Sequence, residues 1–449
     1  MTIHADFFKI VKEGCGQAFT DEPPLSPDVV FIDGQVKLMK ADAIKSWELF
    51  FQIQFYKTIE RCFALGAHTV VLGFDNYEHV PSSKAMTQAK RAKQRVDYDF
   101  AHTSALPNSP PEDWGSAMAN RTFKVKVISR VLEVTRAWFE QKLKTDAKFA
   151  NLTLVLDYRG VPDVVFAPDS KRGLSAKTFV DENDWTVLDS CVGRGECDIK
   201  AFAWLKIARC LCIVSVDGDF LPLSLLQTFA DAGETRHVLL YRMLTQLAPA
   251  SNKRNSSGTR SASGRQYEFV HIAPVRDWLL SVFPSRVVNP IQQFCAMVAL
   301  CGCDFARNLP RLGPRSLWKI RHRLHNCDLT DPTQALCAIS FAYHDMFINK
   351  NTVPARATNS TAWFRQATDA LAIEIYDELA KRVDQLPRVS AKIKLQLWSS
   401  TTSRAHTRNA SWTMMYWTLL QNAPDPHAAD YGYERDAKGR TRFVAEESI

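Results

Sequence analysis

The sequence predicts an α/β protein with a mostly parallel central sheet flanked by helices. Four short apolar runs each end in an aspartate, and continuous apolar runs are typical of strands that are buried on both faces of a parallel sheet. Segments of helical periodicity separate these runs, so predicted strands and helices alternate along the chain. The runs occupy residues 28–33, 69–75, 152–157 and 211–217.

Composition limits the class of protein. Of the 449 residues, 46% are hydrophobic, which suffices for a large core, and we expect one large domain with helical additions. The formal charge of +8 and the pI near 8.9 favour a polyanionic partner only weakly. The eleven cysteines form no Cys-x-x-Cys pair, which indicates a reducing compartment and no zinc site. No signal peptide or membrane-spanning stretch is recognisable, so we expect an intracellular protein without a membrane partner.

The first predicted strands place acidic side chains at one edge of the sheet. Asp33 and Asp75 end the first two runs, and a helical pattern at residues 41–65 connects them. In open α/β sheets the functional crevice lies beyond the carboxyl ends of the strands, so we expect these acids to meet there. Asp157 ends the third run, but no second acid stands beside it, and we interpret it as structural. A single aspartate at a strand end is usually a turn residue or a helix cap.

A basic segment follows the second strand. Residues 78–95 have a helical pattern and include Lys84 and Arg91, and a proline-rich loop and an amphipathic helix follow at residues 103–114 and 117–143. Together these elements would form a flap or arch at the edge of the sheet. A solvated helix face is the ordinary alternative for the charges.

Two pairs of acids dominate residues 195–221. Glu196 and Asp198 form the first pair, Asp217 and Asp219 form the second, and the segment between them is long enough for one helix and one strand. Acids in the first turn of a helix are also favoured by the helix dipole alone. Four carboxylates in one cleft repel one another strongly, however, and are tolerable mainly when divalent cations neutralise them. The stretch therefore predicts a metal site.

A glycine turn in the second half of the chain predicts a phosphate contact. Residues 289–301 have an apolar helical pattern, and Gly302-Cys-Asp304 and a second glycine turn follow. A turn that leads into a helix exposes backbone amides suited to a phosphate, and positive side chains surround the second of these turns. The predicted nucleic-acid-binding residues are Arg311, Gly313, Arg315, Lys319 and Arg321.

In order and spacing, the acids resemble those of the flap endonuclease and xeroderma pigmentosum G type 5′ nuclease family, within the PIN-like nuclease superfamily. That family has a Glu-x-Glu pair before an Asp-x-Asp pair, and a Gly-x-Asp that leads to a Gly-Ile-Gly-Pro turn. Here Asp198 stands where the family has glutamate, and the turn reads Arg311-Leu-Gly-Pro314. The matching acids are Asp33, Asp75, Glu196, Asp198, Asp217, Asp219 and Asp304.

The resemblance implies a PIN-like fold with a helical arch insertion, a helix-two-turn-helix element and a mainly helical C-terminal region. It implies that the seven acids bind two Mg²⁺ ions, for which Mn²⁺ can substitute, and that a K⁺ ion sits at the helix-two-turn-helix element. Lys84 and Arg91 look like the basic pair that contacts the scissile phosphate. The implied regions are a nuclease domain at 1–285 with its arch at 78–188 and a flexible loop at 250–266, the duplex-binding element at 286–330, and the helical region at 331–449.

By the same resemblance, we expect a Mg²⁺-dependent, structure-specific nuclease that hydrolyses DNA near 5′ ends or junctions of single and double strands, in nuclear DNA repair or replication. The expected partner is DNA with a 5′ flap or junction, with RNA as an alternative, and the expected state is a monomer. A clamp-binding peptide is not evident, so no sliding clamp is expected. Two alternatives stay open. One is a 5′ to 3′ exonuclease of DNA or RNA, and the other is a catalytically silent scaffold that binds nucleic acid.

Overall fold

The structure is a computed structural model, and the statements below concern the residues that it describes. These are residues 4–38, 46–75, 106–158, 163–165, 197–206, 208–227, 230–231, 234–243, 267–283, 289–302, 313–321, 327–336, 338–339, 406–408, 410–411, 413–414, 433–435 and 441–443.

A mixed eight-stranded sheet forms the centre of the fold, in the order β1-β10-β9-β6-β2-β3-β4-β5. The five middle strands, β9, β6, β2, β3 and β4, pair in parallel, and the pairings at both edges are antiparallel. The strands are β1 (Phe19–Thr20), β2 (Val29–Asp33), β3 (Thr69–Gly73), β4 (Thr153–Asp157), β5 (Asp163–Val165), β6 (Cys210–Val214), β9 (His237–Met243) and β10 (Tyr267–His271). Two small hairpins pair β7 (Ala230–Asp231) with β8 (Glu234–Thr235) and β11 (Tyr433–Arg435) with β12 (Thr441–Phe443). The mostly parallel α/β sheet is the architecture that the apolar runs predict.

Helices cover both faces of this sheet. They are α1 (His4–Gly14), α2 (Gly34–Leu38), α3 (Trp47–Phe51), α4 (Lys57–Ala64), α5 (Trp114–Ala119), α6 (Arg121–Thr145), α7 (Cys197–Ala203), α8 (Phe220–Leu226), α9 (Ile272–Val282), α10 (Pro290–Cys301) and α11 (Pro314–Ile320). A π-helical segment, Gln52–Tyr56, joins α3 to α4, and 3₁₀ turns lie at Gly16–Ala18, Ala147–Phe149 and Trp204–Lys206.

The strands separate two hydrophobic cores because their side chains alternate between the faces of the sheet. In β2, Val29 and Phe31 pack into one core, and Val30 and Ile32 pack into the other. The first core also contains residues of α1 and α7 to α11, and the second contains residues of α2 to α6. All five residues of β2 are buried, which is the pattern of a central strand covered by helices on both sides.

Two predicted strands are shorter than their apolar runs. Strand β3 ends at Gly73 and β6 ends at Val214, so Asp75 and Asp217 lie two and three residues beyond the strand ends. The acids therefore belong to the loops that leave the sheet. This position moves them away from the regular ladder and into the space above its carboxyl edge.

The two long predicted helices are each interrupted. The pattern at residues 41–65 appears as α3, the π segment and α4, and it begins after Ser46, whose side chain caps α3. The pattern at residues 117–143 appears as α5 and α6. Asn120 separates these two helices, and its side-chain oxygen accepts a hydrogen bond from the backbone N–H of Phe123 at 3.0 Å.

The division into three regions stays a prediction. Helix α10, which begins the proposed duplex-binding element, packs into the same core as α1, where the Phe7 and Phe294 rings meet edge to face at 5.5 Å. Among the described segments, no helix is both long and apolar enough to cross a lipid bilayer.

Candidate functional site

Three aspartates surround the carboxyl ends of the central parallel strands. Asp33 is the last residue of β2, which lies between β3 and β6. Asp75 and Asp217 follow those two neighbouring strands. We call the group of Asp33, Asp75 and Asp217 the acid crevice. It lies where open parallel sheets commonly bind their ligands.

Asp33 is buried at the base of the acid crevice. Its Oδ1 accepts hydrogen bonds from the backbone N–H groups of Gln35 at 3.0 Å and Val36 at 3.4 Å, and its Oδ2 accepts one from the Ser215 hydroxyl at 2.8 Å. Burial raises the pKa of Asp33 to about 7, and the negative charges of Asp75 and Asp217 add to that shift against the Ser215 hydrogen bond. A carboxylate in this environment gains stability from a proton or a cation.

A hydrogen-bonded chain connects Asp33 to the second acidic pair. The Ser215 hydroxyl donates to Asp33 and accepts from the backbone N–H of Asp217 at 3.0 Å. The backbone N–H of Asp219 then donates to Oδ1 of Asp217 at 3.2 Å. Asp217 is exposed and Asp219 is buried, directly before α8. Ser215 was not among the predicted site residues, and only its position two residues before Asp217 pointed to it.

Helix α7 contacts the other side of the acid crevice. The backbone N–H of Cys197 donates to Oδ1 of Asp75 at 2.9 Å. The pKa of the Cys197 thiol is raised well above its ordinary value, first by burial and then by the charges of Asp75 and Asp33. Asp198 follows Cys197 in the first turn of α7. Asp198 is buried there, at 6% exposure.

Two of the three acids, Asp33 and Asp217, also have an ordinary role as a helix cap or a turn residue. Asp33 accepts hydrogen bonds from the first turn of α2, as a cap does, and Asp217 accepts one from the backbone two residues later, as in an Asx turn. These local hydrogen bonds account for Asp33 and Asp217 separately. They do not account for the proximity of the three acids, whose charges add to the effect of burial in raising the pKa of Asp33.

Two glycines permit the close approach of the ends of β2 and β3. A Cβ atom on Gly34 would lie 2.4 Å from the Phe74 ring, and a Cβ atom on Gly73 would lie 2.3 Å from the Phe31 ring. Either addition would push the two strand ends apart. Neither glycine was predicted to have this role, because only the packing across strands shows that a side chain has no room there.

The chemistry of the described donors fits a hard divalent cation, since the acid crevice presents carboxylate oxygens around one buried, raised-pKa aspartate. Among the described residues, however, no three His, Cys, Asp or Glu side chains form a group that could hold a metal ion. Five of the seven predicted ligands are described, and Glu196 and Asp304 lie outside the described residues. The ligand set therefore stays a prediction.

Three predicted basic residues, Lys84, Arg91 and Arg311, also lie outside the described residues. On α11, Arg315 is exposed and forms a bidentate ion pair with Glu13 of α1, with Nη2 to Oε1 at 2.5 Å and Nη1 to Oε2 at 3.3 Å. Lys319, on the same helix, is exposed. This pair uses two of the five N–H donors of Arg315, so the nearby negative charge of Glu13, and not a lack of donors, would oppose a phosphate contact.

The other two predicted phosphate contacts that the structure describes are Gly313 and Arg321. Gly313 has φ −97° and ψ 171°, and an added Cβ would meet nothing within 4 Å, so the turn does not require glycine. The guanidinium of Arg321 lies 4.3 Å from the centroid of the Trp318 ring and donates to the Trp318 carbonyl at 3.0 Å. Burial lowers the pKa of Arg321. Whether this helix binds nucleic acid stays a prediction.

Comparisons with known proteins give no family. No protein-family model matches the chain, and no curated protein matches it. Sixteen chains among the solved structures are similar to it. One is the catalytic core of Rad2 in complex with DNA substrate, with 12% identity and a TM-score of 0.36 over 94% of this chain and 95% of that one. At this TM-score the likeness carries no conclusion about fold or function.

Proposed function

We propose that this protein is a Mg²⁺-dependent nuclease that hydrolyses phosphodiester bonds of DNA near 5′ ends or junctions of single and double strands. The observation that carries the proposal is the convergence of Asp33, Asp75 and Asp217 beyond three adjacent parallel strands, with Asp33 buried and its pKa raised to about 7. A cluster of this kind is costly without a cation and is suited to one.

The seven acids identified by resemblance would hold two Mg²⁺ ions. Bound Mg²⁺ supplies an activated water and stabilises the leaving oxygen of a phosphodiester. Asp33 would present a carboxylate whose direction is set by the Ser215 hydroxyl, and Asp75 one whose direction is set by the first amide of α7. Lys84 and Arg91 would neutralise charge that develops on the phosphate.

Duplex binding is proposed for the segment around α11. Its exposed cations, Arg315 and Lys319, would contact the phosphate backbone, and a K⁺ ion would support the preceding turn. The choice among 5′ flaps, other junctions and RNA depends on elements beyond the acid crevice.

The test uses the Asp217→Ala variant, because Asp217 is exposed and its loss leaves no cavity. We expect this variant to bind a labelled duplex junction within about threefold of the wild type and to lose Mg²⁺-dependent cleavage by at least about 10²-fold. Asp277→Ala is the matched control, since Asp277 is an exposed aspartate on α9, whose first residue follows β10 at the opposite edge of the sheet. This control should cleave like the wild type.

The substrates in this test are 5′ flaps, blunt duplexes, hairpins and single-stranded RNA. Product lengths distinguish an endonuclease from a 5′ to 3′ exonuclease, which is the enzymatic alternative. Cleavage by Asp217→Ala at the wild-type rate would refute the assignment of the site. Binding without cleavage of any substrate by the wild type would favour the scaffold alternative.

A further inference from the structure

A buried lysine lies directly behind the acid crevice. Lys200, on α7, is 0% exposed, and its Nζ donates to Oδ1 of Asp157 at 3.0 Å and to the carbonyl oxygens of Phe74 at 2.8 Å and Tyr158 at 3.0 Å. These three hydrogen bonds use the three protons of the ammonium group. We call Lys200 and these three partners the Lys200 cluster.

The Lys200 cluster explains why Asp157 is not part of the acid crevice. Asp157 ends β4 as Asp33 ends β2, but it is 0% exposed and its charge is paired with that of Lys200. A buried ion pair generally contributes little net stability, because desolvation of both charges opposes their attraction. An apolar pair would fill the same space, so stability alone is a weak reason for this arrangement.

The partners of Lys200 are next to the proposed metal ligands. Phe74 precedes Asp75, and its carbonyl accepts from Lys200, which lies two residues after Asp198. The backbone N–H of Cys197 donates to the carboxylate of Asp75 at 2.9 Å. Lys200 and Cys197 therefore bind the first turn of α7 to the loop after β3 at two points.

The cluster also joins β3 and β4 beyond their ladder. The backbone N–H of Phe74 donates to the Asp157 carbonyl at 2.8 Å, while the Phe74 carbonyl accepts from Lys200. Both polar groups of the Phe74 peptide backbone are thus held, which restricts the direction in which the chain enters Asp75.

We propose that Lys200 is a positioning residue that fixes Asp75 and Asp198 relative to each other for cation binding. The inference rests on the proposed function, in which both carboxylates ligate Mg²⁺. Lys200 would not contact substrate or metal. Its role requires the hydrogen bond to the Phe74 carbonyl, whereas the ion pair with Asp157 serves to compensate the buried charge.

The experiment measures Mn²⁺ affinity by electron paramagnetic resonance and thermal unfolding in full-length variants. Asp157→Asn keeps the bonds from Lys200 to both carbonyls, so we expect a lower Tm and a Mn²⁺ Kd within about twofold of the wild type. The double variant Lys200→Met with Asp157→Asn removes both charges together. We expect its Mn²⁺ Kd to rise about tenfold or more, as with other residues that orient metal ligands.

A stability-matched control separates positioning from general destabilisation. Val275→Ala removes buried volume from α9, which begins at the opposite edge of the sheet, and should lower Tm with no change in Mn²⁺ affinity. In cleavage assays, the double variant should need about tenfold more Mn²⁺ for half-maximal rate, while KM for the nucleic acid stays unchanged. If the double variant does not fold, Lys200→Gln retains a neutral donor and should give an intermediate Kd.

The outcomes distinguish this inference from the function on which it rests. A double variant, or Lys200→Gln, with the wild-type Kd for Mn²⁺ would overturn the positioning role while the proposed function stands. An equal rise in Kd for Asp157→Asn would also overturn it, because the ion pair and not the Phe74 contact would then be responsible. Wild-type protein that binds no Mn²⁺ would overturn both proposals.

Discussion

Asp33 shows how one residue can have both a structural and a proposed chemical role. One carboxylate oxygen accepts backbone hydrogen bonds from the start of α2, and the other accepts the Ser215 hydroxyl. Because the side chain is buried beside Asp75 and Asp217, the pKa rises despite these hydrogen bonds. The Asp33 carboxylate thus stabilises the start of α2 and, because it is buried beside two other acids, also favours the binding of a cation.

This environment predicts the pH dependence of an Asp33→Asn variant in EDTA. A folded-state pKa raised from 3.8 to about 7 means that the folded protein prefers the protonated acid. Below about pH 4, Asp33 is protonated in both the folded and the unfolded state, so it does not destabilise the fold. The free-energy cost of burying its ionised form grows as the pH rises and is complete above about pH 7. Asp33→Asn should therefore stabilise the metal-free protein above pH 7, by up to roughly 4 kcal/mol, and should give little change at pH 4.

Urea unfolding at pH 4, 5.5, 7 and 8.5 measures this difference. Asp6→Asn is the control, since Asp6 is 43% exposed and pairs with Lys9 on α1. An Asp33→Asn effect that stays constant across this range would contradict the buried-carboxylate interpretation. Added Mg²⁺ should reverse the order, because the wild type would then gain a ligand that the variant has lost.

At the scale of elements, continuous apolar runs predicted the central strands well. The runs at residues 28–33 and 152–157 correspond to Val29–Asp33 and Thr153–Asp157, because a strand buried on both faces needs apolar residues throughout. The short edge strand β1, Phe19–Thr20, had no such signal. Its two residues pair antiparallel with β10, from which they are distant in sequence.

The site could be predicted in part for the same reason. Aspartates at strand ends are local signals, and the sheet brings them to one edge whatever the details of packing. Ser215 and Lys200 were missed because their partners are distant in sequence. Ser215 contacts Asp33 from 182 residues away, and Lys200 contacts Asp157 from 43 residues away. A lysine in a helix gives no sign of burial until its partners are placed around it.

A histidine pair connects β9 to β10 at the edge opposite the acid crevice. Nε2 of His271 lies 3.3 Å from Nδ1 of His237, and both residues are half-buried. Burial lowers the pKa of His271, the charge of His237 lowers it further, and Asp277 on α9 opposes both effects. The folded protein therefore favours the neutral form of His271.

This pair predicts acid sensitivity of the fold. A histidine whose folded-state pKa is depressed contributes stability that is present above the unfolded-state value of 6.5 and is lost as pH falls through the lower folded-state pKa. We expect the urea midpoint of His271→Gln to fall less steeply than that of the wild type below pH 6.5. His68→Gln, at an exposed histidine, should follow the wild type. If the urea midpoints of His271→Gln and the wild type fall in parallel with pH, the histidine pair is not the cause of the acid sensitivity.

At the scale of the whole molecule, some helices that are far apart in sequence pack together. Helices α1 and α11 are neighbours, and Arg315 pairs with Glu13 from 302 residues away. From the sequence, Arg315 was predicted to contact a phosphate. Both contacts can coexist, because Glu13 accepts from two of the five N–H donors of the guanidinium, but the negative charge of Glu13 opposes a phosphate beside it.

Competition between Glu13 and phosphate predicts the effect of Glu13→Gln on duplex binding. The substitution removes the competing charge from an exposed pair, so duplex affinity should rise about two- to fivefold at low salt. Arg315→Ala should lower it, and the slope of log K against log salt should become shallower by about one. Lys319→Ala should also lower duplex affinity, but the contribution of Lys319 to binding should be the same with and without Glu13→Gln. Glu112→Gln, at an exposed acid just before α5 on the other face of the sheet, is the charge-matched control and should leave affinity unchanged. Unaltered or weaker binding by Glu13→Gln would mean that Arg315 only pairs α11 with α1, and the duplex contact would then have to come from residues other than Arg315.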